Sequence, residues 1–225
     1  MWFAFFACTQ SFKDSGAQYN SDTTDTATLY SATLSIRDAF SGAPIPGVAL
    51  LGNFAEASST TDETGQASTG VRSSYQIELQ AEGYPPHYYM GETDRDFELI
   101  ALLAEESLSA QIYSYLSLTQ DPNKGVLVVA LDKADLSPAV GASASINANM
   151  SQAFVLGATL PSFGTTITSN TSSVVTFPNM TPGEIEITAI NANSESCLSY
   201  PSGTATQQRV DVYAGAVTVA VYTCP

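Results

Sequence analysis

Acid–base chemistry at neutral pH falls first to histidine, and this chain has one, His87. A zinc site built on two histidines is therefore impossible, and a Ser-His-Asp arrangement would have to run through His87. That residue lies in GYPPHYYM, between prolines and tyrosines, a context that predicts an exposed loop. No G-x-S-x-G elbow and no glycine-rich phosphate cradle occurs. Four carboxylates crowd the stretch ETDRDFE: Glu92, Asp94, Asp96 and Glu98. They are oxygen ligands of the kind calcium takes, yet their spacing matches no calcium loop and Arg95 interrupts them, so a solvated turn is expected. No CxxC pair supports zinc or redox chemistry. The residue set predicts no catalytic centre, no metal, no cofactor and no enzyme.

Three cysteines remain. Cys197 and Cys224 lie near the C-terminus, and a disulfide between them would close a loop of about 28 residues and stabilise by roughly 3–4 kcal/mol. It requires an oxidising compartment; two buried free thiols are the alternative. Cys8 ends the apolar opening MWFAFFAC. Phe5-Phe6-Ala7-Cys8 resembles the bacterial lipobox, with Ala7 ahead of the cysteine that receives lipid and Phe5 where Leu is usual. That resemblance implies lipidation at Cys8, residues 1–7 as the end of a leader that starts upstream, and residues 8–26 as a polar tether. An unprocessed apolar terminus is the other reading. No further stretch approaches the length of a membrane span.

The formal charge is −15, and the seven basic residues are scattered along the chain. No stripe exists to neutralise phosphates, which argues against nucleic acid and anionic membrane surfaces as partners. Charged residues make up 13% and apolar ones 44% of the chain, enough to bury a core.

From residue 27 onward, short alternating runs are broken by turn residues. TLYSATLSIRDAF, VALL, YQIELQ, HYYM and DFELIALL read as strands, with SGAPIPG and TTDETGQA as turns. AEESLSAQIYSYLSL places Leu108, Ile112 and Leu116 on one helical stripe, and TQDPNKG ends it. The second half repeats this logic. GVLVVALDKAD is a strand, SPAVGA mirrors APIPGV with Gly141 matching Gly47, and RVDVYAGAVTVAVYTC supplies two final strands. The expectation is an all-β chain: a sandwich over 27–103, a helix and linker over 104–123, and a second sandwich over 124–225.

The run SIRDAFSGAPIPGVAL, TTDETGQAST, YQIELQAEGY resembles the carboxypeptidase regulatory-like domain. Gly42, Pro44, Ile45, Gly47, Val48, Thr61, Asp62, Gly65, Tyr75, Ile77, Leu79, Gly83 and Tyr84 carry the likeness. It covers about residues 28–100, with a weaker copy in the second half. It implies transthyretin-like, immunoglobulin-like sandwiches that accompany a catalytic domain elsewhere, so no activity is carried over. Lys133 sits where collagen-adhesin B-type repeats place a crosslinking lysine. The glutamate and asparagine that such a crosslink needs are missing.

The function expected is a non-catalytic, lipid-anchored envelope protein, on the bacterial outer membrane or cell surface, whose tandem sandwiches bind or space an unknown protein or glycan. A carbohydrate-binding surface module is the alternative, with Tyr84, His87, Tyr88 and Tyr89 as its candidate loop. An accessory subunit of a secreted hydrolase is the third reading.

Overall fold

The computed structural model describes residues 28–52, 59–148, 152–157 and 160–225. Alternation shapes the first half. Strand β1 (Tyr30–Asp38) buries Ala32, Leu34 and Ile36 on one face. It lies between β4 (Gln66–Val71), antiparallel, and β7 (Phe97–Leu103), parallel. This three-stranded sheet packs on β2 (Ala49–Gly52), β5 (Ser74–Gln80) and β6 (His87–Glu92), which contribute Leu50, Ile77, Leu79 and Tyr89. Each fully buried Leu or Ile here contributes about 1.5–3 kcal/mol against its exposed state.

After the helix α1 (Glu106–Tyr115) the pattern returns. Strands β9 (Ser143–Ile146), β13 (Gly183–Ile190) and β15 (Gln207–Val212) form a second three-stranded sheet, ordered β15-β13-β9. It covers β8 (Gly125–Asp132), β10 (Phe154–Leu156), β12 (Val174–Met180) and β16 (Val217–Thr223). Short strands β3 (Ser59–Thr60), β11 (Pro161–Phe163) and β14 (Leu198–Ser199) complete the set. Cys197 and Cys224 form a disulfide, with both residues buried.

The matching turns of the two halves are closed by hydrogen bonds of one pattern. Ile36 N–H donates to Gly65 O at 2.8 Å, and Ile36 O accepts from Ile45 N–H at 3.1 Å. In the second half Leu131 N–H donates to Ser173 O at 2.8 Å, and Leu131 O accepts from Ala139 N–H at 3.0 Å. Gly47 and Gly141, with φ of 73° and 89°, donate alike to Thr61 O and Ile167 O. Both need the left-handed backbone that a side chain disfavours.

The halves are not two beads on a helix. Strand β16 runs parallel to β8 on one side and parallel to β6 of the first half on the other, with Val217 opposite His87 and Val219 opposite Tyr89. One ten-stranded sheet therefore runs through the molecule, in the order β11-β10-β12-β8-β16-β6-β5-β2-β3, with β14 paired to β16. The two small sheets cover opposite faces of it. Even-numbered Ala220 and Tyr222 face the second small sheet, whereas Val217 and Val219 join the core of the first. Side chains close the seam: Gln208 Nε2 donates to Met90 O at 2.6 Å, Tyr213 OH to Gln76 Oε1 at 3.1 Å, and Arg95 to Ser202 O at 3.1 Å.

Gly125 opens β8 where the chain passes under β15. A Cβ there would collide with Tyr213 O and lie 2.5 Å from Val212 Cγ1. Because the first of these is backbone, Gly125→Ala is expected to cost about 1–3 kcal/mol. Urea midpoints of the two proteins measure it, and equal midpoints would refute the crowding argument.

Candidate functional site

The sheet offset leaves one face half covered. The first small sheet spans β2, β5 and β6 but stops at β7, so among the described residues the same face of β16, β8 and β12 carries no sheet above it. A groove of about 1500 Å³ lies there. Val126, Val128, Val217, Val219 and Val221 form its floor, β7 one wall, and Leu108, Ile112 and Tyr113 of α1 another. Five large exposed apolar residues stand along it: Phe40, Ile100, Leu102, Leu136 and Leu160. Grouped exposed apolar side chains of this kind mark interaction sites, whereas single ones do not.

Along β7 the outward backbone groups would be an open strand edge. Aromatic side chains cap it instead. Tyr89 OH donates to Leu102 O at 3.0 Å and accepts Leu102 N–H at 2.7 Å. Tyr200 OH donates to Glu98 O at 2.5 Å. His87 Nε2 accepts Ala104 N–H at 3.3 Å, while Nδ1 holds Pro85 O at 2.8 Å. Those partners fix the neutral tautomer with its proton on Nδ1. Burial pushes the imidazole down to about 4 from its ordinary 6.5, the bond to Pro85 opposing this in part.

These positions correct the expected ligand loop. His87, Tyr88 and Tyr89 belong to strand β6, not to a loop, and His87 is only 1% exposed. Prolines 85 and 86 end before the strand begins, which is where a sheet tolerates them. Alternation sends Tyr89 into the first core and Tyr88 to the other face, against the Tyr213 ring at 4.4 Å. Tyr84 donates to Asp38 Oδ2 at 3.1 Å. Its hydroxyl is pushed up to about 12 by burial and by that carboxylate. The four residues thus present no shared aromatic platform. Tyr84→Phe is expected to cost about 0.5–1.5 kcal/mol through the lost bond, read as a lower urea midpoint; no change would contradict it.

Other candidates separate as well. Asp94 pairs with Arg95 at 2.8 Å, Asp96 Oδ1 accepts Ser31 N–H at 2.7 Å, and the side of Glu98 lines the groove. Among the described residues no group of three or more His, Cys, Asp or Glu is placed to hold a metal. Lys133 is exposed at the end of β8. Cys8 and its lipobox-like context lie outside the described residues. No helix among the described residues is long and apolar enough to cross a membrane. Sequence reasoning missed the groove floor, although β8 and β16 are apolar on both faces, more than a two-sheet core consumes.

No family model matches the chain, and no curated protein sequence matches it. Solved structures give weak likenesses. The Bacillus anthracis TIE protein is 10% identical with a TM-score of 0.27, over 87% of this chain and 33% of that one, so the chain spans about a third of its length. GBS52, the minor pilin of Streptococcus agalactiae, is 10% identical with a TM-score of 0.28, over 86% of this chain and 95% of the pilin. The shaft pilin SpaA of Lactobacillus rhamnosus GG is 10% identical with a TM-score of 0.26, covering 88% and 98% respectively. Scores of this size establish no common arrangement, and neither site nor function is transferred from them.

Proposed function

We infer that the chain is a non-catalytic binding module of the bacterial cell envelope, held by lipid at Cys8 and acting through the apolar groove. The observation that carries this is the groove itself, rimmed by exposed Phe40, Ile100, Leu102, Leu136 and Leu160. His87, the one histidine, is committed to two backbone partners and has no free nitrogen for catalysis. The halves are read as two copies of one transthyretin-like domain, a reading supported by the paired bonds around Ile36 and Leu131. The carbohydrate-binding alternative loses its platform, since Tyr88 and Tyr89 face opposite sides of one strand.

A photo-crosslinking side chain at Leu136, on the groove, and at Ile190, exposed on the second small sheet away from it, tests the reading in cells that express the full chain. A crosslinked product from position 136 alone supports it; identical products from both, or none, overturn it. Fractionation of Cys8→Ala separates the anchor from the groove. The variant is expected to leave the membrane fraction, and continued membrane association would refute lipidation at Cys8.

A further inference from the structure

The hydrogen-bond state of the groove narrows what can fill it. A peptide strand brings one N–H and one C=O per residue, and each needs a partner once water is excluded. The floor cannot supply them, because β8 is paired on both sides by β12 and β16, and β16 on both sides by β8 and β6. The wall supplies few. Of the outward groups of β7, Leu102 N–H and O are both taken by Tyr89 and Glu98 O by Tyr200, and Ala104 N–H beyond the strand is taken by His87. Strand parity leaves Glu98 N–H and the two groups of Ile100 open. An extended peptide finds few backbone partners on this lining, whereas an aliphatic chain asks for none.

Charge narrows it again. The ionisable groups on the lining include Glu98, Glu106 and Asp132 against Lys124, whose Nζ already donates to Thr181 Oγ1 at 2.7 Å. The whole chain carries −15. A carboxylate or phosphate headgroup at the mouth meets repulsion, whereas an uncharged one does not. The volume, about 1500 Å³, exceeds the roughly 300–1,000 Å³ of sites for compact small molecules and leaves room for an extended chain.

We propose that the groove between β7, α1 and the valine floor of β8 and β16 binds the aliphatic chain of an uncharged lipid. This rests on reading the groove as the binding face and adds the chemistry of its ligand. Ile100 and Leu136 flank the bound chain, and the capped edge of β7 keeps the pocket from recruiting strands of other proteins.

The test uses the full chain with Cys8→Ala, so that its own acyl groups do not compete, loaded with the uncharged dye Nile red. Monoolein below its aggregation concentration, oleate, and an apolar octapeptide with blocked ends then compete for the dye at low salt. The expected result is displacement by monoolein at concentrations at least tenfold lower than by oleate, with none by the peptide. Ile100→Asp with Leu136→Asp should weaken dye uptake at least tenfold. Ile190→Asp, on the second small sheet, should leave it unchanged, with melting curves confirming that each variant folds. Displacement by the peptide but not by monoolein overturns the lipid assignment and leaves the binding face standing. Failure of every probe to enter, with the rim substitutions silent, overturns both.

Discussion

Tyr222→Ala is expected to lower folding stability by about 3–5 kcal/mol and to weaken both halves of the molecule together. Tyr222 is fully buried in β16 and its hydroxyl donates to Ile187 O at 3.0 Å, tying the long sheet to the second small sheet. Truncation removes the ring, opens a cavity between the sheets and strips Ile187 O of that donor. Tyr222→Phe keeps the ring and loses the bond alone, for about 0.5–1.5 kcal/mol. The distinguishing consequence is spatial. Because β16 also pairs with β6, loosening it exposes the seam and the valines that close the first core. Native-state hydrogen exchange reads this directly: protection at Ile77, in the first half, should fall with protection at Ile187, in the second. A loss confined to the second half would mean that the sheet is continuous in geometry but not in energy.

The second large effect is a pH dependence. His87 is held neutral in the fold at about 4, against 6.5 when unfolded, a difference equivalent to roughly 3 kcal/mol. Its folded value is depressed, so the unfolded chain binds the proton first. The stability that neutral His87 confers is complete above pH 6.5, declines as pH falls toward 4, and changes no further below. Protonation would also turn Nε2 from the acceptor of Ala104 N–H into a donor facing a donor, loosening the step between β7 and α1. Asp38, whose carboxylate is held low by its bonds to Ser41, acts below this window. Asp132 is raised by burial and works the other way, since acid relieves its charge. Urea midpoints between pH 7 and 4 should fall steeply for the native sequence and much less for His87→Gln, which starts lower. Parallel slopes would show that His87 does not carry the effect.

Local chemistry was legible in the sequence, and long-range pairing was not. Turn residues placed Gly47 and Gly141 in matching left-handed turns, the 3.6-residue stripe placed α1, and proximity near the terminus paired Cys197 with Cys224. The seam is different in kind. Nothing local in VTVAVYT says that Val217 will lie opposite His87, because that parallel register is set by packing between distant segments. The prolines of GYPPHYYM outweighed the alternation that follows them, so His87 read as a loop residue when it opens a strand. The groove followed the same logic. Valines lie on both faces of β8 and β16, but only the offset of the small sheets shows that one of those faces is covered in part by the described strands.

The two halves form one body around a continuous sheet, and the groove takes its floor from the second half and its β7 wall from the first. Scanning calorimetry of the full chain tests it most directly. One transition is expected, with the calorimetric enthalpy equal to the van't Hoff enthalpy. Two resolved transitions, or a calorimetric enthalpy near twice the van't Hoff value, would show halves that unfold independently and a groove that is not one site.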